Sequence, residues 1–235
     1  MTPDPQMPPR YYPQIKICGL TSPDQARTCA DLGADAIGLV FYEKSPRNVT
    51  PDQAAAITAV LPPRVSAVGV FVDPSRELLT RTVSQCGLHG LQLHGRETSD
   101  FVARLRRTLD VRIYKALFAA KSPGLAEAPD YDVHAYLVEC GQGPLPGGNA
   151  MSWDWALAKA FSRQYPLILA GGLASENVAR AVSACLPDAV DASSSLETAP
   201  GVKDLGKVEK FIACIRQTEP LYRAQDHDIR RILNH

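Results

Sequence analysis

The chain has 235 residues, enough for one α/β barrel or for two small domains. Lys plus Arg equals Asp plus Glu at 25 each, so there is no global field to recruit nucleic acid or an anionic membrane, and the expected ligand is a small molecule. Six dispersed cysteines without a C-x-x-C pair or metal-ligand spacing, no signal-peptide pattern, and no apolar run near the roughly 20 residues of a bilayer span lead to the expectation of a cytoplasmic protein with reduced thiols and no metal.

Residues 1–13 are proline-rich and lack apolar periodicity, which reads as a flexible leader. The first strand is Gln14-Ile-Lys-Ile-Cys18, where polar and apolar residues alternate, and Gly19 allows the chain to turn. Ser22, Pro23 and Asp24 then have the signature of a capped helix start, so a thiol stands where a strand hands over to a helix. Residues 34–41 form a nearly continuous apolar run, the pattern of a strand buried on both faces of a parallel sheet. The alternation continues with a helix over 53–60, a strand over 65–72, a helix over 75–85, a strand over 88–94, a helix over 98–108 and a strand over 111–117.

Two prolines and a glycine within residues 121–131 predict a short or irregular connection in place of a fifth helix. A strand over 135–140, a glycine-rich loop over 141–152, a helix over 153–161, a strand over 167–170, a helix over 175–183, a strand over 189–192 and a closing helix over 203–216 complete the pattern. Around eight strand–helix units of similar length predict a single-domain (β/α)8 TIM barrel over 14–217, followed by a C-terminal extension over 218–235 that reads as a surface helix or a disordered tail.

Chemistry in such a barrel belongs at the carboxyl ends of the strands. Cys18 reads either as a small buried hydrophobe or as a thiol poised at a strand mouth, and as a general base it would need its pKa lowered. Glu139 ends an otherwise apolar strand, where a carboxyl group tends to hold its proton and suits a donor, although a structural hydrogen bond or a solvated rim carboxylate fits as well. Arg47, after Ser45 and Pro46, is either a carboxylate clamp or an ordinary surface arginine. Gln92 and His94 alternate with leucines, as ligand contacts or as plain barrel residues. Gly171 and Gly172 close the seventh strand, and Asp191 with Ser193, Ser194 and Ser195 closes the eighth, giving two adjacent loops whose N–H groups suit a phosphate.

Together these residues resemble the phosphoribosylanthranilate isomerase family of tryptophan biosynthesis over about residues 15–215. The likeness rests on Lys16-Ile-Cys-Gly-Leu-Thr21, Gly33-Ala-Asp-Ala-Ile-Gly38, Phe41-Tyr-Glu-Lys-Ser-Pro-Arg47, Val68-Gly-Val-Phe-Val72, Leu91-Gln-Leu-His-Gly95, Trp153-Asp-Trp155, Ala170-Gly-Gly-Leu173 and Pro200-Gly-Val-Lys-Asp204. The resemblance implies an aldose–ketose isomerase performing an Amadori rearrangement of a phosphoribosyl substrate, with no cofactor, as a monomer or homodimer. It implies Cys18 as general base, Arg47 as the anthranilate carboxylate clamp, and the loops of the last two strands as the phosphate site. The family usually has aspartate at the place of Glu139, a Gly-Ser/Thr-Gly loop at Gly148-Asn-Ala150, and Ser-Ser-Gly at Ser193-Ser-Ser195. A paralogue retuned for another aminated sugar phosphate, or a barrel that only binds phosphoribosyl ligands, are the alternatives those differences leave open.

Overall fold

Among the described residues, 11–142, 153–225 and 229–233 of the computed structural model, the chain closes a parallel barrel in the order β1 to β8. The strands are β1 (Gln14–Cys18), β2 (Ala36–Phe41), β3 (Ser66–Phe71), β4 (Gly90–Leu93), β5 (Arg112–Phe118), β6 (Ala135–Glu139), β7 (Leu167–Leu169) and β8 (Ala189–Ala192). Closure is made by β1 against β8, with Lys16 registered on Asp191. Residues 1–10 of the leader expected over 1–13, and the Gly148-Asn-Ala150 loop, lie outside the described residues.

Helices α1 (Pro23–Leu32), α2 (Pro51–Ala59), α3 (Arg76–Cys86), α4 (Ser99–Thr108), α5 (Lys159–Gln164), α6 (Val178–Cys185) and α7 (Leu205–Arg216) surround the barrel. Most start where a side chain satisfies the first free amides. Thr50 and Gln53 form a reciprocal capping box at α2, and Ser75, Thr98 and Asp204 accept from the third residues of α3, α4 and α7. Ser22 differs from expectation: it makes no side-chain cap bond, and Pro23 at the first position marks the start of α1. Between β5 and β6 the predicted irregular connection is a 3-10 turn (Leu125–Asp130) interrupted by Pro129. The helix expected over 153–161 begins instead as a 3-10 turn (Trp155–Ala158) that runs into α5.

Successive strand residues point to opposite faces, which sorts β1 into two sets. Ile15 and Ile17 join the apolar layer between sheet and helices, with Ala26, Cys29 and Ile212. Gln14, Lys16 and Cys18 face the barrel interior, whose apolar part includes Ala36, Val68, Tyr114, Ala116, Leu137, Ile168 and Ala189. The interior is therefore filled by side chains up to a polar upper layer at the carboxyl ends of the strands.

The opposite end of the barrel is covered by the C-terminal segment. After α8 (Glu219–Ala224), Ile232 and Leu233 are buried among the interior residues. Gln14 Oε1 accepts from the amides of Ile232 (2.6 Å) and Leu233 (2.9 Å), and the Tyr114 hydroxyl donates to the Ile232 carbonyl (2.8 Å). Arg230 pairs with the fully buried Asp188 at 2.9 Å and donates to the carbonyls of Ser162 and Tyr165.

Candidate active site

A cleft at the carboxyl ends of β6, β7 and β8 is lined by Glu139, Gly171, Gly172, Asp191, Ser193, Ser194 and Ser195. Seven residues expected at the site from sequence thus share one cleft. Cys18 and His94 join it directly, through Ser193 and Glu139, whereas Gln92 is linked through His94 and Arg47 through Glu197 and Lys203.

Cys18 ends β1 at 8% exposure. Its carbonyl accepts from the Ser193 hydroxyl at 2.9 Å, which ties the end of β1 to the loop after β8. A Cβ built on Gly38 of the neighbouring strand would stand 2.6 Å from Cys18 Sγ, so the absence of a side chain there is what gives the thiol its place. Burial pushes the thiol pKa up, Lys16 pulls it down, Asp191 pushes it up again and Lys203 pulls it down; burial prevails. Lys16, fully buried two residues earlier on the same face, donates to Asp191 Oδ1 at 2.9 Å. Burial works against its charge, but Asp191 and then Cys18 outweigh it and hold the ammonium above its ordinary value.

Arg47 is buried, not an ordinary surface arginine. Its Nε and Nη2 donate to Glu197 Oε1 and Oε2 at 2.9 and 2.7 Å, a bidentate pairing that fixes the guanidinium plane. Lys203 Nζ donates to the same Glu197 at 2.7 Å and to the Ser193 carbonyl at 3.2 Å. Burial raises the Glu197 pKa, yet Arg47 and Lys203 together hold it below the usual carboxylate range. Glu197 opens a short strand, β9 (Glu197–Ala199), which pairs antiparallel with β10 (Val202–Lys203). That hairpin brings two charges to Arg47 from about 150 residues away in sequence.

Glu139, at 8% exposure, has Oε1 3.3 Å from His94 Nε2. The other ring nitrogen, Nδ1, meets Gln92 Nε2 at 2.8 Å. With the Gln92 amide donating to Nδ1, the ring proton lies on Nε2, toward Glu139. The 3.3 Å approach is not aligned as a hydrogen bond: His94 Nε2 and Gln92 Oε1 are buried polar atoms without partners among the described residues.

Gly171 and Gly172 both adopt left-handed backbone, φ +88° and +66°, which a side chain would strain. Ser195 needs no such geometry, since positive φ among the described non-glycine residues is confined to Asp73 and Leu186. Its hydroxyl donates to the Leu173 carbonyl and straps the loop after β8 to the loop after β7.

Sequence reasoning missed Lys16, Glu197 and Lys203 as site residues. A parity argument along β1 would have placed Lys16 with Cys18, but nothing in the primary pattern joins Arg47 to Glu197. Lys115, in the middle of β5, does not line the cleft: its ammonium donates to Glu97 (2.8 Å) and to the Gly95 carbonyl (2.8 Å).

Fold and site define a single-domain (β/α)8 barrel with a thiol, a carboxyl side chain, a paired arginine and the glycine and serine loops of β7 and β8 at its carboxyl mouth. Residues 15–214 match the family described as N-(5'-phosphoribosyl)anthranilate (PRA) isomerase. An N-(5'-phosphoribosyl)anthranilate isomerase of Desulfatibacillum aliphaticivorans is 47% identical over 205 residues, covering 87% of this chain and 94% of the relative. The phosphoribosyl anthranilate isomerase structure from Thermotoga maritima aligns at TM-score 0.80 and 32% identity, over 87% of this chain and 99% of that one. A phosphoribosyl anthranilate isomerase solved in complex with reduced 1-(o-carboxyphenylamino)-1-deoxyribulose 5-phosphate aligns at TM-score 0.76 and 32% identity, over the same 87% and 99%. The chain belongs to the phosphoribosylanthranilate isomerase family.

Proposed function

We propose that this enzyme converts N-(5-phosphoribosyl)anthranilate to 1-(2-carboxyphenylamino)-1-deoxyribulose 5-phosphate, the isomerase step of tryptophan biosynthesis. The observation that carries the reading is the convergence of Glu139 on β6, Cys18 on β1 and the Arg47–Glu197 pair around one cleft with two anion loops. An acid and a thiol on different strands, with clamps at both ends of an elongated substrate, is what an aldosylamine rearrangement requires.

In this mechanism Glu139 gives its proton to the ribose ring oxygen, and the C1–O bond breaks to leave an open-chain iminium ion. The Cys18 thiolate removes the proton from C2, and the electron pair of that bond moves toward the iminium to form an enolamine. Protonation at C1 and loss of the enol proton yield the C2 ketone. Lys16 and Lys203 are the cations that favour the thiolate against burial. Backbone N–H groups of Gly172 and the Ser193–Ser195 turn receive the sugar phosphate, and Arg47 receives the anthranilate carboxylate. A ligand hydroxyl near His94 and Gln92 would satisfy their two buried unpartnered atoms.

Growth of a tryptophan auxotroph lacking this isomerase tests the function. Restored growth without tryptophan is expected, and failure of a well-expressed, folded chain to support growth or to turn over phosphoribosylanthranilate in vitro would overturn it.

A further inference from the structure

We propose that Glu197 and Lys203 are positioning residues that make Arg47 selective for an anionic carboxylate: Glu197 splints the guanidinium, and Lys203 cancels the charge of the splint. The proposal rests on the reading of Arg47 as the clamp for the substrate's aromatic carboxylate. Glu197 takes the Nε–Nη2 edge of Arg47 at 2.9 and 2.7 Å and leaves the Nη1 edge outside the pairing. A Cβ built on Gly19 would lie 2.5 Å from Arg47 Cδ, so the arginine stem runs against the residue that follows Cys18. The guanidinium is thereby held beside the proposed base, in one plane and at one edge.

A splint of this kind has an electrostatic cost. A buried Arg–Glu pair is neutral, and an incoming carboxylate would compete with Glu197 for the same cation. Lys203, its side chain fully buried and 2.7 Å from Glu197, changes the sum: two cations and one anion leave one net positive charge. The Gly201 amide, 3.3 Å from Glu197 Oε1, and the β9–β10 hairpin hold the carboxylate in place so that it does not follow the ligand. Selectivity in this arrangement comes from unbalanced charge, not from the number of donors that Arg47 offers.

The test compares two ligands that differ only in the carboxylate: reduced 1-(2-carboxyphenylamino)-1-deoxyribulose 5-phosphate and its phenylamino counterpart, titrated calorimetrically. In the wild type the carboxylated ligand is expected to bind at least about tenfold more tightly. Lys203→Met should collapse that ratio toward one by weakening the carboxylated ligand alone, and Lys203→Arg should preserve it. The double variant Glu197→Gln with Lys203→Met restores the net charge of Arg47 and should recover most of the ratio, a rescue that a merely structural lysine would not give. If Lys203→Met does not fold, the double variant against wild type decides, and loss of its ratio overturns the proposal. Equal weakening of both ligands in Lys203→Met, or an unchanged ratio, also overturns it. An Arg47→Ala variant that keeps the wild-type ratio would instead remove the clamp reading on which the proposal stands.

Discussion

His94 Nε2 lies 3.3 Å from Glu139 Oε1, while the far side of the same ring is held by Gln92 at 2.8 Å, so the acid at the end of β6 is faced by an imidazole fixed from β4. The glutamate reaches this position with one methylene more than the aspartate usual at this place in the family. Glu139→Gln should therefore lower kcat by roughly 100-fold or more, because the amide keeps the shape and loses the proton. Glu139→Asp withdraws the carboxyl group by about 1.5 Å and should at best hold the rate steady, with a loss of about tenfold expected from misplacement. Steady-state kinetics on the three proteins decide the matter, and a glutamine variant as fast as wild type would remove Glu139 from the mechanism.

Cys18→Ala should abolish turnover while leaving the affinity for a reduced product analogue within about threefold, since the thiol moves a proton and does not hold the ligand. Burial keeps the thiol above its ordinary value of 9.0 despite Lys16 and Lys203. The thiolate fraction, and with it kcat/KM, should thus rise with pH across about pH 7 to 8.5. A profile that is flat or falling over that range would contradict the assignment of the base.

The Ser195 hydroxyl straps the loop after β8 to the Leu173 carbonyl. Ser195→Ala removes the strap without touching the backbone, and a lost hydrogen bond of about 1 kcal/mol corresponds to roughly fivefold weaker binding of ribulose 5-phosphate. Isothermal titration would read the change; unaltered affinity would show that the two loops hold their spacing without it.

His134, half-buried beside Arg106 and Arg112, has its pKa lowered to about 4, with burial the larger cause, and its Nδ1 accepts from the Ile113 amide at 2.8 Å. Between about pH 6.5 and 4 the unfolded chain binds a proton there that the folded chain refuses, so this residue makes stability fall as pH falls through that window. Replacement by Asn should flatten the acid side of the Tm-against-pH curve relative to wild type, as followed by differential scanning fluorimetry. A steeper acid side in the variant would reverse the sign argued here.

Arg230→Ala leaves Asp188, fully buried, without its ionic partner, and frees the segment that covers the amino-terminal end of the barrel. Because Arg230 is itself partly exposed, the cost should be about 2–3 kcal/mol, or roughly 5–10 °C in Tm. Kinetic constants below the transition should be unchanged, since this contact is at the opposite end of the barrel from Cys18 and Glu139. We therefore propose the C-terminal extension as a stabilising cover, a role that an unaltered Tm would exclude.

The primary structure by itself determined the alternation of strands and helices, the strand-end placement of Cys18 and Glu139, and the irregular connection enforced by Pro123 and Pro129, because each of these follows from neighbours a few residues apart. Strand parity was less legible. In β5 the residues flanking Lys115 are apolar on both faces, as in any strand buried on both sides, so no alternation separates inside from outside, and it is the register of β5 on β4 that brings Lys115 to Glu97. Helix starts were half legible: the capping box of Thr50 and Gln53 formed, whereas Ser22 made no cap bond. The Arg47–Glu197–Lys203 cluster and the cover made by Ile232 and Leu233 were decided by the tertiary structure alone. Arg47 meets Glu197 across 150 positions and Gln14 meets Ile232 across 218, contacts that form only when the ring of strands has closed and that no local pattern encodes.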